Sequence, residues 1–158
     1  NFLHGISLLH QFGFTYDLLI FPKHLDAALQ FVQQFPEQPF AIDHMAKPYI
    51  KDGKMDEWKT GMQKLAQHEN VFCKISGMVT EADWHSWTAN DLRPYIDVVV
   101  NIFGAKRIMF GSDWPVCLVA STYQNWLQVL KEYFASYTNE EQSLFFGGNA
   151  TRFYSLTT

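Results

Sequence analysis

Four polar side chains stand where apolar runs of the chain end. They are His44 after Phe40-Ala41-Ile42-Asp43, Lys74 and Ser76 in the run 71–77, and Asp113 after Arg107-Ile108-Met109-Phe110-Gly111-Ser112. A histidine, a lysine and an aspartate in one cleft could bind an anion or a polarised carbonyl and move protons. An aspartate at a dry strand tip is also a hard-metal ligand or a water-activating base. Asp113 and His44 would be two donors toward such a metal. Each residue has a plainer reading. Asp113 could cap or anchor the loop ahead of Pro115, and His44 could be a satisfied core or loop histidine. Lys74 could carry its head group to water, although a lysine between Cys73 and Ile75 is costly in mid-strand unless paired. Trp114 either walls a pocket or packs. His24 reads as a helix-start histidine, and Asp43, on the opposite face from His44, as a carboxylate bonding a backbone amide.

The elements that must position these side chains alternate along the chain. Runs rich in β-branched and aromatic residues read as strands over 15–21, 40–45, 71–77 and 107–114. Between them, helical spacing groups Leu25, Ala28, Leu29 and Val32; Trp58, Met62, Leu65 and Ala66; Leu92, Ile96, Val99 and Phe103; and Trp126, Leu127, Leu130 and Phe134. Gly104 suits a helix C-terminus. Thr138 with Glu141 reads as a capping box, and Asn149 as the cap of a last turn. Alternation of this kind argues for an α/β chain of parallel strands with crossover helices. Two architectures satisfy it: an open doubly wound sheet, or half of a (β/α)₈ barrel, which needs about 250 residues when complete. In both, sites gather at the C-terminal ends of the strands. Side-chain alternation groups Asp113 with Met109, His44 with Ile42, and Lys74 and Ser76 with Phe72. If those faces share one axis, the four polar residues converge.

Composition narrows the function classes. The 158 residues are 47% hydrophobic and 16% aromatic, too apolar for a disordered chain and enough for one domain over residues 1–158. A net charge of −4 supplies no basic stripe for nucleic acid. No apolar run reaches membrane-spanning length, and no basic segment followed by an apolar stretch marks a secretory signal. Cys73 and Cys117 lie in or beside apolar segments and read as buried thiols of a cytoplasmic protein. Gly-rich phosphate loops, CxxC pairs, HExxH and GxSxG are absent.

Taken in order, the strand tips resemble a known family. "AIDHMAKPYI" resembles the DH-x-x-KP segment of the amidohydrolase-related (amidohydrolase 2) family, and "VFCKISGMV" its K-x-SG strand. "RIMFGSDWPV" is similar to its FGSDWP signature, and "GGNATRFYSL" to its closing NA-x-x-x-Y helix. The spacing is most similar to the sugar-lactone hydrolases of the L-fuconolactonase and L-rhamnonolactonase group. The resemblance implies the C-terminal half, strands five to eight, of a distorted TIM (β/α)₈ barrel. It implies that Asp113 activates the hydrolytic water and that His44 polarises or orients the lactone carbonyl. Lys74 and Trp114 map onto substrate-pocket positions, with Ser76 beside Lys74. The family's first-strand H-x-H pair has no counterpart here, and the segment TYDLLIF offers no strand-five histidine. No cofactor is therefore certain, and a divalent metal such as zinc stays open, because Asp113 and His44 alone are too few ligands. The implied partner is a small sugar-acid lactone, with no nucleic acid and no membrane. A half-barrel is further expected to meet either another copy of itself or a missing N-terminal half. The rival readings are an inactive truncated half-barrel and a metal-dependent amidohydrolase or decarboxylase of the same superfamily.

Overall fold

Residues 1–157 are described by a computed structural model. Its centre is a four-stranded parallel sheet of β1 (Tyr16–Leu18), β2 (Phe40–Ile42), β3 (Val71–Ile75) and β4 (Ile108–Phe110). The strand order is consecutive, β1-β2-β3-β4, without the reversal that defines a doubly wound sheet. Phe40 pairs with Tyr16 on one side and Val71 on the other, and Cys73 pairs with both Ile42 and Ile108.

Helix α1 (Phe2–Leu9) precedes β1, and α2 (Leu25–Gln34) and α3 (Asp56–Ala66) follow β1 and β2. Two helices follow β3, the short α4 (Met78–Glu81) and α5 (Ala89–Phe103). The chain after β4 carries α6 (Tyr123–Phe134), α7 (Asn139–Ser143) and α8 (Asn149–Phe153). Local chemistry sets several ends. Thr138 and Glu141 cap α7 reciprocally, with Oγ1 of Thr138 accepting from the Glu141 amide at 3.2 Å. Gly104 ends α5 at φ 68°, a conformation open to glycine at little cost.

Leu18, Phe40, Ile42, Val71, Cys73, Ile75 and Ile108 point to one side of the sheet. There they bury against Val32, Trp58, Leu65, Ile96, Trp126 and Leu130 of the helices. Ala41, Phe72 and Met109 point to the other side, where Ala150, Phe153 and Tyr154 cover them. Asn149 departs from its expected role as a cap. It is buried, and its amide nitrogen donates to the carbonyls of Ala105 and Ile108, both at 2.7 Å. The side chain thus ties α8 to the chain entering β4. The regular strands are shorter than the apolar runs. Each run leaves the ladder early, and the residues beyond it build the site. Among the described residues no helix is long and apolar enough to cross a membrane.

Candidate active site

Three strand tips meet. Nε2 of His44 lies 3.6 Å from Oδ1 of Asp113, and Nδ1 of His44 is hydrogen-bonded to Oγ of Ser76 at 2.8 Å. Ser76 is buried, while the side chains of His44 and Asp113 keep 20% and 11% of their surface open to solvent. Lys47 and Glu81 form a further pair at 2.6 Å, and both charges act on the Asp113 carboxyl.

The backbone makes this arrangement against its own preference. His44, Met45, Ala46 and Lys47 all have positive φ, between 50° and 58°. Non-glycine residues pay roughly 1–2 kcal/mol each for that conformation. Alternation would have sent His44 to the helix-facing side with Ile42, which lies in that core. The left-handed turn swings it toward Asp113 instead. Asp113 has φ 53° and likewise leaves the pleat. Extended alternation is therefore the wrong reason for their meeting, and the turns beyond the strands are the right one.

Neighbouring groups hold the turns in place. The Trp58 indole donates to the Met45 carbonyl at 2.6 Å, and the Trp126 indole to that of Gly111 at 2.9 Å. The Cys117 amide donates to the Asp113 carbonyl at 2.8 Å, and the Trp114 amide to Oγ of Ser112 at 3.2 Å. Gly77 adopts φ 63°, and a Cβ there would stand 2.8 Å from the His44 ring. A Cβ on Gly111 would stand 2.6 Å from that of Ser76. Both glycines are needed for close approach.

Burial raises the Asp113 carboxyl above the ordinary aspartate range, with His44 and Lys47 pulling it down and Glu81 and Asp43 pushing it up. A carboxylate so raised is a stronger base toward water.

The other residues singled out from the sequence lie differently. Lys74 does not join His44 and Asp113. Its ammonium is spent on Asp17 at 2.6 Å and Asp43 at 2.7 Å, and Tyr154 donates its hydroxyl to Asp17. Burial works against the Lys74 charge, but these partners outweigh it and hold the ammonium above its usual range. Asp43 thus faces Lys74 rather than a backbone amide. Trp114 sits beside Asp113 with 64% of its surface exposed. His24 closes a 3₁₀ turn, its Nδ1 accepting from the Phe21 amide at 3.2 Å. Cys73 and Cys117 are buried and free. Sequence reasoning missed Lys47, Glu81 and Asp17. Lys47 lies inside the quoted DH-x-x-KP segment and Asp17 is a charge inside an apolar run. Glu81, on a one-turn helix, carried no signal.

His44 Nε2 and Asp113 Oδ1 are close enough to be two ligands of one ion, but catalytic zinc takes three from the protein. Among the described residues no group of three His, Cys, Asp or Glu side chains could hold a metal. These residues alone do not make a zinc site, and no step below runs through one.

Consecutive parallel strands with a polar cluster at their C-terminal tips define a barrel-type α/β chain with its site at the barrel mouth. Comparison with known proteins assigns it further. The amidohydrolase family model matches residues 2–156, and the chain belongs to that family. It is 39% identical over 153 residues to an L-fucono-1,5-lactonase of Burkholderia ambifaria, covering 94% of this chain and 52% of that protein. An L-fucono-1,5-lactonase of Burkholderia multivorans is 34% identical, with 99% and 56% covered. Among solved structures, an amidohydrolase from Burkholderia multivorans with bound zinc superposes with a TM-score of 0.94 at 35% identity. That match covers 99% of this chain and 57% of the other. The chain thus spans about half the length of the relatives it matches, and its fold is half of the family's (β/α)₈ barrel.

Proposed function

We propose that this chain, a single domain over residues 1–158, carries part of the active site of a hydrolase that opens a sugar-acid lactone. The observation that carries the reading is the His44–Asp113 pair at 3.6 Å, set at the strand tips of a chain similar to two L-fucono-1,5-lactonases. Asp113 takes a proton from water as the water oxygen adds to the lactone carbonyl. With the Ser76 hydroxyl donating to Nδ1, the His44 proton sits on Nε2 and can donate to the carbonyl oxygen as it becomes an oxyanion. Collapse of the tetrahedral intermediate breaks the bond to the ring oxygen, and that oxygen leaves as an alcohol with the proton held by Asp113. The exposed indole of Trp114 offers a wall for the ring. Lys74 is paired with Asp43, the residue before His44.

The test is proton release from five- and six-membered sugar-acid lactones by the intact protein and its Asp113→Asn variant. Turnover lost in the variant supports the reading, and equal background in both sinks it. Zinc belongs to the same proposal, on the strength of the zinc-bound relative. Stoichiometric zinc retained through purification of the intact protein would support a metal-dependent reaction, and full activity in metal-free protein would reject it. Two buried free thiols accord with a reducing, cytoplasmic setting.

A further inference from the structure

The Lys47–Glu81 pair is not used in the hydrolysis described above, yet it stands at the same mouth. We propose that Lys47 and Glu81 form the subsite that reads adjacent hydroxyl groups of a polyhydroxylated lactone, Lys47 donating and Glu81 accepting. This rests on the lactonase reading and adds to it the residues that select the substrate.

Four observations carry it. First, the strained turn that presents His44 ends at Lys47, so one distortion delivers both side chains to the mouth. Strain of this kind persists where the surroundings over-determine it, and it gathers at ligand sites. Second, the pair is largely desolvated and still reachable, with 22% of the Lys47 side chain and 18% of the Glu81 side chain open to solvent. A donor and an acceptor at 2.6 Å match the alternating hydrogen-bonding of neighbouring hydroxyls. Third, the Phe21 ring lies 5.7 Å from the Lys47 ammonium and is itself partly exposed. It orients the cation and offers an apolar face to the C–H side of a sugar ring. Fourth, the pair is not the sole tie between α4 and the chain after the turn at 44–47. The Lys51 amide already donates to the Glu81 carbonyl at 3.0 Å. Lys74, another cation near the strand tips, is already held by two carboxylates, Asp17 and Asp43.

The experiment compares two six-membered lactones, one polyhydroxylated and one unsubstituted, with the intact protein and its Lys47→Met and Glu81→Gln variants. Methionine keeps the apolar stem over Phe21. The ratio of kcat/KM for the hydroxylated over the bare lactone should fall about tenfold or more in Lys47→Met, as expected for a charged hydrogen bond, with the loss chiefly in KM. Lys47→Arg should restore part of it. A ratio that stays at its native value overturns the proposal, whether both activities fall together or neither falls. If the native protein turns over neither lactone, the hydrolase reading has failed, and calorimetric titration with an uncharged polyhydroxylated lactam of the same ring size decides this one. Binding weakened about tenfold in Lys47→Met upholds the subsite, and equal or absent binding in both proteins rejects it.

Discussion

At the scale of single residues, the site depends on contacts that leave little room. On the proposed role of Asp113 as the base, Asp113→Asn keeps the shape but removes that base, and kcat should fall by roughly 10²–10⁴, with an unchanged melting curve confirming that the fold survives. Gly77→Ala tests the packing beneath His44. The new Cβ would meet the imidazole at 2.8 Å in a backbone conformation that alanine resists. It should cost at least about 1–2 kcal/mol in denaturant unfolding and lower kcat as the His44–Ser76 bond is disturbed. A variant with native stability and native kcat would show that the ring does not need this close support.

Elements act on the site through their buried donors. The Trp126 indole reaches from α6 to the Gly111 carbonyl at 2.9 Å, fixing the end of β4 just before Asp113. Trp126→Phe keeps most of the buried ring but leaves that carbonyl unpaired. Unfolding should be easier by about 1–3 kcal/mol, and a native value would count against the anchor. The Asp17–Lys74–Asp43 network with Tyr154 joins the first three strands to the residue closing α8. Burial first, and Asp17 next among the raising influences, push the Tyr154 phenol from 10.0 up to about 12, against the pull of Lys74. The folded chain therefore holds a proton that the unfolded chain releases. Stability from this group is complete below pH 10 and drains away as pH rises toward 12. Equilibrium unfolding across that range should show the decline, and Tyr154→Phe should flatten part of it. An identical slope in the variant would remove Tyr154 from the account.

Across the whole molecule, the sheet ends in two edge strands, β1 and β4. Large apolar side chains are exposed near both, with Phe12 and Phe14 ahead of β1 and Trp114 and Leu118 beyond β4. Unpaired edges beside apolar surface invite pairing. The 158-residue chain by itself should therefore self-associate in light scattering and bind an apolar dye. A monodisperse monomer that leaves the dye dark would show that the half-barrel manages its edges alone.

Much of this was legible in the order of residues alone. Strand–helix alternation, the helix faces of Trp58 and Trp126, the Gly104 and Thr138 ends, and the polar tips at His44 and Asp113 follow from short-range patterns, because periodicity and capping act within a few residues. The alternation does not fix the consecutive strand order, since it suits both an open sheet and a half-barrel. Tertiary structure also decided the partners of each charge. Whether Lys74 met substrate or Asp17 depended on a residue 57 positions away, and Glu81 became part of the mouth only through Lys47, 34 positions away. The meeting of His44 with Asp113 rested on backbone that leaves the strand into left-handed turns, which the side-chain alternation of an extended chain does not describe. Local sequence sets which residues can bond. Long-range packing of Trp58, Trp126 and Gly77 around those turns determines which of them do.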